Sequence, residues 1–275
     1  MNQRTDLALE LENKYIKTQE KKIKIGEIGI EITDVIENFS KFKKGTQYIT
    51  IRTGNINYIT DFCDIEKAIN ISLNKLLPKE HQSVLVVGLG NREITSDCIG
   101  PFTCEKILAT RHIAGEFSKE IGLPNLKSVS VITPSVLGKT GIETGETVKA
   151  IVETIKPDVV IVIDALCANK SDNLFSVIQL TNSGISPGSG VKNARKELNQ
   201  NSLGVPTIAI GVPTVVEAST IVKEFSKKEN EKIKELLLTP KDTDLLSHRI
   251  SEVLAHSLNI FLQPDTEREV LLELV

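Results

Sequence analysis

The stretch from Val84 to Pro101, VLVVGLGNREITSDCIGP, constrains the fold of this chain more than any other. Val84 to Val87 are four unbroken apolar residues, β-branched at three positions. A short run of this kind closed by glycine reads as a buried parallel strand. Gly88 and Gly90 let the chain turn sharply, and Asn91 can bond its own backbone there. Thr95 or Ser96 is placed to cap a helix beginning near Asp97. A carboxylate then sits just past the carboxyl end of a strand, where open α/β sheets hold their ligands. Asp97 is the first active-site candidate.

Downstream, strands and helices alternate. SVSVI (128–132) reads as a strand, and residues 145–155 as a helix with Val148, Ile151, Val152 and Ile155 on one face, broken by Pro157. VVIVIDAL (159–166) is the most hydrophobic strand and ends in Asp164. FSVIQL (175–180) and VPTIAIGVP (205–213) are further strands, the latter closed by proline and followed by a short helix from about Val215. The loop SGISPGSG (183–190) is a substrate-facing or structural turn. After Pro240 a helix carries the stripe Leu246, Ile250, Val253, Leu254, Leu258 and Phe261. This alternation predicts an α/β fold, three-layer α/β/α with a mostly parallel sheet. The first eighty residues differ. IKIGEIGIEITDVI (23–36) and TQYITIRT (46–53) alternate Ile with polar or small residues, as two half-buried strands joined through the Lys-rich loop at Lys41 to Gly45. Residues 64–77 show helical spacing and stop at Pro78. Residues 1–80 are thus expected to form a β extension packed on an α/β core of residues 81–275, the whole chain 1–275 being one domain.

Composition excludes several classes. A net charge of −3 and a pI near 5.9 give no electrostatic case for nucleic acid or an anionic membrane. No apolar run approaches membrane-spanning length, and MNQRTDLALELEN is too charged for a signal peptide, so the chain reads as cytosolic. Cys63, Cys98, Cys104 and Cys167 form no CxxC, which suggests neither a disulfide framework nor a zinc site. The four read as small packed thiols, with Cys98, beside Asp97, the one alternative candidate for a reactive group. His81, His112, His248 and His256 show no metal-binding spacing, and no metal or cofactor is expected.

If the strands ending at Asp97 and Asp164 are neighbours, the two carboxylates face each other across the crevice. They cannot both ionise cheaply at close range, so the pair shares a proton. One can then act as base on a water while the other protonates the attacked carbonyl. The competing reading makes Asp97 a helix N-cap and Asp164 a turn residue. Glu143, in TGIETGE, can orient a water or bind substrate, or it is simply an acid at a helix N-terminus. GLGNRE puts Glu93 where a dinucleotide fingerprint needs its third glycine. Neither Ser135 nor Ser189 lies in a G-x-S-x-G elbow.

Taken in order, these motifs resemble the germination protease family of spore-forming bacteria. The resemblance lies in RTDLALE, VVGLGNREITSDCIGP, TRH, TPSVLGKTGIET, KPDVVIVIDAL, SGISPGSGVKNAR, GVPTIAIGVPTVVEA and LLLTPKDTDLLSHRISEVLAHSLN, and covers nearly the whole chain. It implies a fold like that of the hydrogenase maturation endopeptidases. It also implies an endopeptidase that initiates degradation of small acid-soluble spore proteins during germination by aspartate-assisted attack of water. Asp97 and Asp164 would be catalytic, with Asn91, Glu143 and Ser189 binding substrate or supporting them. A zymogen form, a homotetramer and a place in the spore core come with the resemblance, and neither a nucleic-acid nor a membrane partner does. Family substrates are cut after an acid in a Thr-Glu-(Phe or Ile)-Ala context. Thr5-Asp6-Leu7-Ala8 reproduces that pattern, so processing between Asp6 and Leu7 is expected; the alternative is that Leu7, Leu9 and Leu11 anchor a terminal strand or helix start.

The chain also departs from the family pattern. Asn182 and Lys192 replace an expected Asp and Gly around the PGSG loop, residues 222–236 look abbreviated, and only Met1 to Gln3 precede RTDLA, leaving little room for an inhibitory pro-segment. Two other functions remain to be weighed. A nucleotide-binding oxidoreductase needs an acid at the next strand end, which SVSVITP lacks. A non-catalytic spore protein of the same fold would have no need of both aspartates.

Overall fold

The Ile- and Val-rich runs become nine strands of one sheet in a computed structural model that describes residues 7, 18–37, 44–120, 125–188, 196–225 and 236–273. In chain order the strands are β1 (Thr18–Ile25), β2 (Ile28–Val35), β3 (Gln47–Arg52), β4 (Ser83–Gly88), β5 (Ser128–Ile132), β6 (Val159–Ala168), β7 (Val177–Thr181), β8 (Thr207–Glu217) and β9 (Leu237–Leu238). The helices are α1 (Cys63–Leu76), α2 (Ile99–Glu105), α3 (Glu116–Glu120), α4 (Leu137–Thr140), α5 (Thr144–Ile155), α6 (Gln200–Leu203), α7 (Ala218–Phe225), α8 (Thr243–Leu262) and α9 (Arg268–Glu273). The strand order is β1-β2-β3-β7-β8-β6-β4-β5, with β9 beside β8. Strands β5, β4, β6 and β8 run parallel. Antiparallel β7 links them to β3, and β3 to the β1–β2 hairpin.

The period-two alternation of side chains in β4 and β6 generates the layers. Val84, Val86, Val159 and Ile161 enter a core shared with α1, α2 and α8. Leu85, Val87, Val160 and Val162 face the other way, against Val148 and Val152 of α5 and Leu203 of α6. The whole apolar stripe of α8 is buried. Truncating a fully buried leucine there, such as Leu254, costs about 2–5 kcal/mol, part transfer and part cavity.

Two elements differ from their sequence reading. Residues 23–36 are a hairpin, not one strand, reversing at Gly26 with φ +54°. The signal is a parity switch: the isoleucines fall on odd positions to Ile25 and on even ones from Ile28, and the register pairs Ile23 with Ile30 and Ile25 with Ile28. Strand β8 does not stop at Pro213. It bulges there, with Leu166 opposite Pro213 and Cys167 opposite Val215, which leaves Thr214 without a counterpart. A proline lacks a ladder donor and is accommodated at such a bulge.

At the opposite, amino end of the sheet, His81 stacks on Phe261 with ring centroids 5.9 Å apart. Its Nδ1 lies 3.0 Å from Pro78 O, and Lys127 Nζ lies 3.0 Å from its Nε2. An ammonium can only donate, so His81 is neutral with its proton on Nδ1. Burial pushes the imidazole below its ordinary value of 6.5 and the Lys127 charge adds to the fall, while the Pro78 carbonyl and Asp158 oppose it. The unfolded chain therefore binds the proton more readily than the folded one. His81 contributes stability above about pH 6.5 that is lost as pH falls below it. Thermal melts from pH 7.5 down to 5.5 should show a drop in Tm that is shallower in His81→Gln; parallel profiles would disprove the coupling.

Candidate active site

The carboxyl end of β4 lies beside the middle of β6, Gly88 opposite Ile163, and Leu89 N–H donates to Ile163 O at 2.8 Å. A Cβ on Gly88 would lie 2.4 Å from Gly100 O, and one on Gly100 would lie 2.6 Å from Ile163 O. These glycines let α2 settle directly on the strand ends. Gly90 has φ +109°, a backbone that L side chains rarely adopt. It allows the loop to close so that Asn91 N–H donates both to Asp97 O (3.0 Å) and to Asp97 Oδ2 (2.8 Å). Asn91 Oδ1 accepts from Glu93 N–H at 3.1 Å, the local turn its residue type suggested. Its own part is to hold Asp97.

Asp97 is not a helix cap. Helix α2 begins at Ile99 with Cys98 at the N-cap, and neither Thr95 nor Ser96 caps it. Instead their carbonyls accept hydroxyl protons from distant elements: Thr214 Oγ1 donates to Ser96 O at 2.6 Å and Ser247 Oγ to Thr95 O at 2.8 Å. Both hydroxyl residues are fully buried. Asp164 is not a turn residue either, since it lies within β6 opposite Gly211. It is 6% exposed, and its Oδ1 accepts the Ala165 N–H at 3.0 Å.

Asp97 and Asp164 line one cavity of about 330 Å³, together with Ser135, Thr214, Pro187 and Leu237. Ser186 to Gly188 form part of its wall, so the glycine- and serine-rich loop does reach it. Sequence reasoning passed over Thr214, although the Pro213 before it, inside a strand, marked a bulge that could re-aim a side chain. Ser135 was considered only as a nucleophile. It lines the cavity with φ +62° and its carbonyl accepts from Thr144 Oγ1 at 3.3 Å.

The remaining candidates separate. Glu143 is the N-cap of α5 and not among the cavity residues, although Thr144 beside it is; Glu143 Oε2 is buried without a hydrogen-bond partner among the described residues. Ser189, Lys192, Asp6 and most of residues 222–236 lie outside the described residues. Asn182 Oδ1 accepts from Gln47 N–H at 2.9 Å. Leu7 is fully buried against Leu166, Ala168, Val177 and Val216, and Leu166 also lines the cavity. Burial raises the Cys98 thiol above its ordinary value and pushes Cys104 up to about 12, so neither is an activated thiolate. Among the described residues no three His, Cys, Asp or Glu groups gather as a metal cluster, and no helix is long and apolar enough to cross a membrane.

Residues 2–227 match the family model described as germination protease. The chain is 37% identical over 316 residues to the germination protease of Clostridium acetobutylicum, covering 96% of each chain. It is 37% identical over 317 residues to that of Clostridium tetani, covering 98% of each. Among solved structures, the hydrogenase maturation protease HycI of Thermococcus kodakarensis overlaps 68% of this chain and 98% of its own, at 14% identity and a TM-score of 0.39, too loose an overlap to bear on the chemistry.

Proposed function

The chain belongs to the germination protease family and is a peptidase; from that premise we propose that it cleaves small acid-soluble spore proteins in the spore core, using Asp97 and Asp164 as its catalytic pair. The observation that carries this reading is the placement of both carboxylates in one cavity, Asp97 in the loop after β4 and Asp164 in the adjacent β6. One aspartate takes a proton from the attacking water while the other, protonated, donates to the scissile carbonyl oxygen. The same pair returns a proton to the departing amine. The Asn91 N–H, bonded to Asp97 Oδ2 and to the Asp97 carbonyl, keeps that carboxylate oriented. Family membership leaves no role for the dinucleotide-binding alternative. Incubation of the purified chain with a small acid-soluble spore protein should give a few defined fragments by mass spectrometry. An intact substrate would identify the chain instead as a non-catalytic member of the fold.

The family resemblance also supports a homotetramer and a zymogen trimmed between Asp6 and Leu7. Leu7 is seated against Leu166, a residue that also lines the cavity. After the cut, the apolar socket around Leu7 would hold the new terminus in place. Native mass spectrometry of the active form should show four copies, each beginning at Leu7. Active subunits still beginning at Met1 or Asn2 would rule out the cut.

A further inference from the structure

We infer that the open edge of β9 is the docking strand for an extended segment of the substrate polypeptide, which pairs with the backbone of Leu237 and runs from there into the cavity of Asp97 and Asp164. The inference rests on the peptidase reading above. Among the described residues strand β9 has one partner, β8, with Leu238 opposite Val216 and Leu237 opposite Glu217. Ala218 N–H donates to Leu236 O at 2.9 Å, so Leu236 and Leu238 occupy the hydrogen-bonded positions of this antiparallel ladder. Leu237 falls between them. Its N–H and C=O therefore point away from β8, to the open side.

A free strand edge is normally shortened, covered or charged, because it templates the addition of another strand. Here it is short but neither charged nor covered among the described residues: Leu236, Leu237 and Leu238 are 58%, 45% and 41% exposed. Leu237 also lines the cavity of the two aspartates, as does Ile94, 49% exposed. One residue thus offers a backbone donor and acceptor outward and an apolar contact inward. An extended peptide, with backbone groups on its edge and side chains to either face, satisfies both at once.

The edge is also tied to the aspartate. Thr239, next after β9, donates through Oγ1 to Thr214 O at 2.8 Å, and Thr214 Oγ1 donates to Ser96 O at 2.6 Å, one residue before Asp97. A peptide paired to β9 is therefore held in fixed register with that carboxylate.

The test is a cleavable peptide carrying a single backbone N-methyl group at each position in turn, outside the scissile bond. The expected result is one position, at a constant distance from the cut, where methylation raises KM about tenfold and leaves kcat nearly unchanged. In Leu237→Pro, which removes the edge N–H that would donate to a peptide carbonyl, unmodified peptide should show a similar rise in KM. Even tolerance along the peptide in the wild-type chain, or an unchanged KM in a folded Leu237→Pro, would overturn the inference. If Leu237→Pro does not fold, the wild-type scan decides alone. A wild-type chain that cleaves no unmodified peptide takes down the peptidase reading itself, and this inference with it.

Discussion

Asp97→Asn and Asp164→Asn should each lower cleavage of a spore-protein substrate by about 10²–10⁴-fold, the range of a lost general acid or base. The loss should fall on kcat and leave KM nearly unchanged, because the amide keeps the size of the carboxylate and removes only its proton chemistry. Folding should survive. Asp97 is held through Asn91 N–H, a bond that an amide oxygen can accept as well, and Asp164 accepts from the N–H of its own neighbour, Ala165. The double variant should be no worse than the poorer single one, since either carboxylate alone lacks a partner for the second proton transfer. Retention of more than a tenth of wild-type kcat by either single variant would remove that residue from the pair.

Gly90→Ala should be almost as damaging, for a reason of packing. At φ +109° any L side chain is strained, at about 1–3 kcal/mol. The added Cβ would also lie 2.0 Å from Asp97 O and 3.0 Å from Asp97 Oδ1, and the nearer of these is backbone that cannot swing aside. The loop must open, and displacement of a catalytic group by about 1 Å can cost about 10²-fold in rate. Gly115→Ala is the matched control. Its φ is +108°, yet nothing among the described residues lies within 4 Å of the Cβ position. It should lose stability through strain and keep its kcat. Equal activity losses in the two variants would show that general destabilisation, and not the position of Asp97, is what Gly90 controls.

Much of this architecture is legible in the sequence because it is local. The runs at Val84–Val87 and Val159–Ile163, the apolar stripes of α1, α5 and α8, and the asparagine turn after Gly90 each depend on residues within one or two turns of chain, and each appears close to where spacing put it. The two aspartates could be picked out for the same reason, as acids following buried strands. Their shared cavity depends on something that spacing does not contain: which strands are neighbours. β4 lies against β6, and β7 turns antiparallel between β8 and β3, through backbone pairing between distant stretches of chain.

What holds Asp97 in place shows the limit most clearly. Local rules made it part of a helix start capped by Thr95 or Ser96. In the fold those two residues act through their carbonyls, bonded by Thr214 and Ser247, which are 118 and 152 residues away. Thr214 reaches the loop only because β8 bulges at Pro213, and Leu237 reaches the cavity only because β9 pairs with the end of that same strand. Short-range propensity decided where the strands, turns and acids lie along the chain. Only tertiary structure decided which hydroxyls and edges meet them, because a buried carbonyl takes whatever donor packing brings within reach.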